Sequence, residues 1–201
     1  MALLARGTAH WVALPAVVTA VLFAAGWVAA GLLAALLTLF LANFFRDPER
    51  PLAEGIVSPA DGVVTEVREA EDGGRVVVIF MNVHNVHVNR APCDATVVKR
   101  THHEGSKVPA WHKDSERNER VVWDLDTPHG SMRVVQVAGL LARRIVPYAA
   151  EGQRLRKGER IGIIRLGSRV DVWLPPGCEP AVRAGDRLLA GSSTLARPGK
   201  P

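Results

Sequence analysis

The chain has 201 residues, a formal charge of +5, two cysteines and one tyrosine. Its length allows one compact domain with its own core after an apolar N-terminus. Cys93 and Cys178 are too few for a disulfide framework or a cysteine-built zinc site and read as thiols in a reducing compartment. No basic cluster is interleaved with aromatics, which argues against nucleic acid as a partner.

Trp11 to Phe45 contains no Asp, Glu, Lys or Arg. A single span needs about 20 apolar residues, so this run is long for one upright helix and short for two full ones. Gly26 and Gly31 allow a break near its middle. The segment 1–45 is therefore expected to be an α-helical membrane segment, either one long tilted helix or a shallow helical hairpin. It is too long for a signal peptide and lacks a clear cleavage end. Trp11 and Trp27 suit the membrane interface, and Arg46 and Arg50 follow the run where only Arg6 precedes it. That bias favours residues 46–201 lying on the cytoplasmic side of a cell membrane. The excess of positive charge serves solubility and also attraction to an anionic membrane surface, at roughly 1 kcal/mol per basic residue near the surface.

Pro48 and Pro51 make residues 46–54 a stiff connector. Beyond it the pattern is mainly β. Val63–Val67 and Val76–Phe80 flank the turn signal Glu71-Asp72-Gly73-Gly74. Strands are expected at Ala95–Lys99, Val121–Leu125, Met132–Val137, Ile145–Tyr148, Ile161–Ile164 and Arg169–Leu174, with Thr127-Pro128-His129-Gly130 as a second turn. No helical periodicity follows Phe45, so the fold class is mainly β, a small barrel or sandwich. Lys157-Gly158-Glu159 before a strand is similar to the turn of lipoyl- and biotinyl-type barrel sandwiches. Thr101 to Asn118, polar and irregular, reads as a mobile loop, and 197–201 as a disordered tail.

Four positions carry chemistry. Gly167-Ser168 lies between an apolar run and the alternating Val170, Val172, Leu174. Glycine permits unusual backbone angles and close approach to its carbonyl, which a serine hydroxyl needs in order to attack the preceding peptide bond. As a bare dipeptide it is more often a turn. A serine hydroxyl needs an adjacent base. His87 is poised near neutral pH, and Asp61 is placed to hold the other imidazole nitrogen, as in a hydrolase triad. Alone, Asp61-Gly62 reads as a turn pair and His87 as a packed histidine. His84 and His87, three apart, cannot share a face of a regular strand, so a turn or bulge is expected if both line one site. Ala190-Gly191-Ser192 also looks like a cleavage pair, but only a short stub without a strand follows it.

Phe44-Phe45-Arg46-Asp47-Pro48-Glu49-Arg50, Val57-Ser58-Pro59-Ala60-Asp61-Gly62, Val83-His84-Asn85-Val86-His87-Val88-Asn89-Arg90-Ala91-Pro92 and Leu166-Gly167-Ser168 occur in this order. With Asn118-Glu119-Arg120 and Gly139 to Val146, they resemble the short form of the phosphatidylserine decarboxylase proenzymes, from about Phe44 to Pro175. Arg169 stands where many longer members have Thr. The resemblance implies self-cleavage between Gly167 and Ser168 into a β chain, 1–167, and an α chain, 168–201, which stay together and dimerise further. It implies that Ser168 becomes a pyruvoyl group, a covalent pyruvate cofactor. Its carbonyl would take the amine of phosphatidylserine as a Schiff base and hold the electrons left when carbon dioxide departs. The roles of His87 and Asp61 are the same in that family, and His84 would handle the proton at the substrate carbon. No metal is implied. Two other readings stand beside this one, a membrane-tethered barrel-sandwich adaptor and a metallohydrolase with His84 and His87 as ligands, for which no third ligand has a recognisable place.

Overall fold

The computed structural model describes residues 4–105, 118–139, 144–165 and 168–199. The chain divides into two compact units, Met1–Glu49 and Arg50–Pro201.

The first unit is a helical hairpin, α1 (Ala9–Ala24) and α2 (Val28–Phe44). Of the two expected forms, one long helix is not the one adopted. The chain breaks at Gly26, whose φ of 79° favours a residue without a Cβ. Gly31 lets the helices approach, since a Cβ there would meet the Phe23 ring at 2.9 Å. Thr19 and Thr38 face each other, their hydroxyls 3.3 Å apart, and each hydroxyl also donates within its own helix, to Pro15 and Ala34 at 2.8 Å. Leu4 pairs with Arg46 at the open end. Large apolar side chains are exposed around both helices, Leu14, Val17, Val21, Leu33, Leu36 and Leu39 among them. At 1.5 Å per residue the helices are about 24 and 26 Å long. Among the described residues, no helix is long and apolar enough to cross a membrane.

The second unit is mainly β, as expected. An eight-stranded antiparallel sheet has the order β13-β2-β3-β11-β7-β6-β5-β9. Its strands are β2 (Gly62–Glu69), β3 (Arg75–Met81), β5 (Ala95–His103), β6 (Arg120–Thr127), β7 (Gly130–Ala138), β9 (Arg154–Leu155), β11 (Ser168–Leu174) and β13 (Arg187–Leu188). Two three-stranded sheets complete the unit. One holds β1 (Ile56–Val57), β14 (Thr194–Arg197) and β12 (Glu179–Pro180); the other holds β4 (Val88–Arg90), β10 (Arg160–Ile164) and β8 (Ile145–Pro147). Alternate residues of the large sheet, such as Val77, Ile79, Met81, Trp123, Val134, Val170 and Val172, form one core with Ile56, Ile161, Ile164 and Leu195 of the small sheets. This is the mainly β arrangement expected, with the inward residues of the large sheet and the small sheets sharing one core.

Three boundaries differ from expectation. β5 continues through His103, because Thr101, His102 and His103 pair with Val122, Val121 and Arg120. The expected loop thus starts later, and its stretch 106–117 lies outside the described residues. The tail is ordered as far as Arg197, which pairs with Glu179. The unit boundary falls after Glu49 rather than at 45, since Arg50 is held by the β unit.

Candidate active site

Ser168 opens β11, the strand between β3 and β7. It stands opposite Met81 on one side and Ala138 on the other. Opposed residues project to the same face of a sheet. Val170 and Val172 continue that face at period two and are fully buried, so the Ser168 side chain points into the core. Its Oγ is buried and, among the described residues, has no hydrogen-bond partner. Buried hydroxyls ordinarily have one, so this hydroxyl is an exception that calls for an explanation. Gly167, the expected cleavage partner, lies outside the described residues, as do residues 140–143 of the motif starting at Gly139.

After β3 the chain makes a tight turn over Asn82–Asn85, closed by the Asn85 N–H donating to the Asn82 carbonyl at 2.9 Å. Asn85 Oδ1 accepts from the Asn82 N–H at 2.8 Å. A turn was expected here if both histidines lined one site; the turn adopted separates them instead. His84 is exposed at its tip, and His87 is fully buried. The His87 carbonyl accepts from the Ile164 N–H at 3.2 Å, tying it to the strand that leads towards Ser168. His87 Nδ1 lies 2.9 Å from the Asn85 carbonyl. A carbonyl only accepts, so Nδ1 carries the proton and Nε2 is the basic nitrogen of the neutral ring.

Asp61 departs from the expected triad geometry. Arg50 grips both of its oxygens, Nη1 on Oδ1 and Nη2 on Oδ2 at 3.0 Å. The Val86 N–H reaches Oδ2 at 3.2 Å and the Ala190 N–H reaches Oδ1 at 2.8 Å. Four donors saturate a carboxylate, and none of them comes from His87. Asp61 instead holds the backbone of the residue before His87. Gly62 follows because a Cβ there would collide with the Phe80 carbonyl. Arg50 lies in the expected connector, and no local pattern marks its pairing. The Ala190-Gly191-Ser192 pair is a turn that serves this clasp, with Gly191 at a φ of 79°. Its Ser192 hydroxyl is already committed, donating to the Pro51 carbonyl at 2.7 Å.

The opposite face of the large sheet carries a cavity of about 870 Å³ lined by Arg68, Lys99, Arg120, Arg133 and Arg169, with Asp124 and Asp171; Ser168, His87, Asp61 and His84 are not in its lining. Arg169 bonds Asp171 at 2.9 Å there, so the residue after Ser168 serves the far face. Among the described residues, no group of three or more His, Cys, Asp or Glu is placed to hold a metal ion.

Residues 37–196 match the family model described as phosphatidylserine decarboxylase. The chain is 48% identical over 201 residues to a phosphatidylserine decarboxylase proenzyme of Streptomyces griseus subsp. griseus, covering 96% of this chain and 93% of the relative. The proenzyme of that name from Streptomyces avermitilis is 46% identical over the same shares of both chains. That from Thermobifida fusca is 52% identical over 158 residues, 78% of this chain and 73% of its own. A core-facing serine at the head of a central strand, a buried histidine with a defined basic nitrogen and these matches lead to one conclusion: the chain belongs to the phosphatidylserine decarboxylase family.

Proposed function

We propose that this chain is a self-processing enzyme that decarboxylates phosphatidylserine to phosphatidylethanolamine in phospholipid synthesis. The observation that carries the reading is the buried, partnerless Ser168 hydroxyl at the head of β11. The name proenzyme, borne by the relatives, fits a chain made as a precursor. In maturation, Ser168 Oγ attacks the Gly167 carbonyl carbon while His87 Nε2 takes the hydroxyl proton. The acyl chain passes from nitrogen to oxygen as an ester. Loss of the Ser168 Cα proton then breaks the Cβ–Oγ bond, and the electron pair stays on Oγ. Chain 1–167 thus ends in a carboxylate, and chain 168–201 begins as dehydroalanine. Water replaces its nitrogen, ammonia leaves, and a pyruvoyl group remains. A pyruvoyl carbonyl supplies the electron sink that decarboxylation of an amino acid requires.

Asp61, with Arg50, is a positioning residue in this scheme, fixing the Val86 N–H and so the approach of His87. His84, exposed on its turn, is the proton donor to the substrate carbon, a role worth roughly 10²–10⁴-fold. The hairpin fits a membrane surface. A helix apolar all round belongs in a core or in lipid, and at about 25 Å each helix falls short of the ~30 Å hydrocarbon layer. A shallow insertion from the cytoplasmic side of the cell membrane would hold the enzyme at anionic headgroups, with its two chains associated and the pair dimerised further.

Intact mass spectrometry tests maturation, with a break at 167/168 and a blocked residue 168 expected. Carbon dioxide release from vesicles of carboxyl-labelled phosphatidylserine tests turnover. A single unbroken chain with no release overturns the reading.

A further inference from the structure

Within the core an unbroken file of amides leads to the neighbour of Ser168. Trp123 Nε1 donates to Gln136 Oε1 at 2.7 Å. Gln136 Nε2 donates to Asn89 Oδ1 at 2.7 Å. Asn89 Nδ2 then donates to Met81 Sδ at 3.7 Å. All four side chains are fully buried. The three donors point the same way, so each bond polarises the next. The file ends weakly, because a thioether is a poor acceptor, and among the described residues it is the only acceptor of that amide nitrogen. Met81 is also the residue directly opposite Ser168 on the core face. An under-used N–H donor and a partnerless hydroxyl thus flank one side chain. A flexible methionine is the residue most easily displaced between them.

We propose that the Asn89 amide donates to Ser168 Oγ during self-processing, and that Gln136 is the positioning residue behind it. This rests on the maturation reading above. A donor on Oγ does little for the attack, in which that oxygen gives up electron density. It matters in the elimination, when the Cβ–Oγ bond breaks and Oγ leaves with the electron pair as part of the new carboxylate. A donor aimed where negative charge develops is worth ~10²–10³-fold. Asn89 is therefore assigned to the second step of maturation, and His87 to the first.

The test uses hydroxylamine, which splits esters under conditions that leave amides intact. Asn89→Leu, which keeps the branching of the side chain but removes its polar atoms, is expected to slow elimination ~100-fold or more and to accumulate a full-mass chain. Hydroxylamine should divide that chain into a 1–167 hydroxamate and a 168–201 peptide with a free Ser168 amine. Gln136→Met, which leaves Asn89 in place, should accumulate the same ester more weakly, and it decides the matter if Asn89→Leu melts below the assay temperature. A folded Asn89→Leu chain that reaches the blocked residue 168 at the wild-type rate overturns the inference. So does one that stalls as a hydroxylamine-resistant amide. A wild-type chain that never breaks overturns the maturation reading itself, a separate outcome.

Discussion

Arg50 and Asp61 form a bidentate ion pair in which the carboxylate side chain is 2% exposed and the guanidinium side chain 14%. Removing the cation leaves a buried carboxylate with only its two backbone donors. Breaking such a pair costs about 3–5 kcal/mol. Arg50→Met should therefore lower the unfolding midpoint markedly and slow cleavage, since the Val86 N–H loses its fixed acceptor. Arg50→Lys should recover only part, because an ammonium cannot engage both oxygens in a planar fork. Calorimetry with a gel time course reads both. An Arg50→Met chain that melts and cleaves like wild type removes Asp61 from the positioning role.

Ser168→Ala should remain one chain of 21.7 kDa on denaturing gels, while Ser192→Ala should still divide. Ser192 already donates to Pro51 and only secures a turn. Division of the Ser168→Ala chain would remove that residue from the chemistry.

The two histidines should separate by step. His87→Ala should stay uncut, because under the proposed maturation it removes the group that takes the Ser168 hydroxyl proton. His84→Ala should cut normally, since its side chain sits on an exposed turn, and then turn over phosphatidylserine at least tenfold more slowly. If His84→Ala is as uncut as His87→Ala, the turn is acting on maturation and not on substrate.

Deleting residues 1–49 should release a β unit that still matures but no longer floats with anionic vesicles. The cut must spare Arg50. A deletion through residue 53 should mature slowly, as Arg50→Met does, because Asp61 loses its partner. Undiminished flotation of the 50–201 chain would assign membrane binding to the β unit.

Burial is the main cause that pushes the Cys93 thiol up to about 11, with Asp94 adding to it and a Thr127 hydrogen bond opposing. The folded chain keeps this proton where the unfolded chain loses it. The contribution is fully present below pH 9 and is lost as pH rises towards 11. Wild type should lose more stability than Cys93→Ala across that window in urea titrations. Native Cys93 should also alkylate far more slowly than a free thiol at pH 8.

How far the sequence could be read depended on the range of the interactions involved. The β2–β3 hairpin was legible because Asp72-Gly73 sits between two β-type runs rich in valine, and β11 because Val170 and Val172 alternate behind Ser168. A turn between His84 and His87 was expected only on the condition that both line one site, whereas the turn adopted leaves His84 exposed and buries His87. The two-residue strands β1, β9, β12 and β13 were not legible, since they carry no period and exist only through distant partners. The partners expected for Asp61 differ from those it has, because the Ala190 N–H lies 129 residues away and no local pattern announces it. Asn89 and Gln136 could have been suspected as polar residues among Val86, Val88, Val135 and Val137. Only the three-dimensional register shows that they meet each other beside Met81.

β11 is hydrogen-bonded along its length to β3 on one edge and β7 on the other, and β13 and β14 add pairings to β2 and β1. Under the proposed maturation, the cut frees the head of a strand that both neighbours still hold, so the small fragment cannot leave without unravelling the sheet. A cofactor that diffuses in can be exchanged when it is damaged, but one grown from the middle of a sheet cannot. Each molecule would then have one working lifetime, set by the chemical survival of a single group, and the cell could restore lost activity only by making new chains.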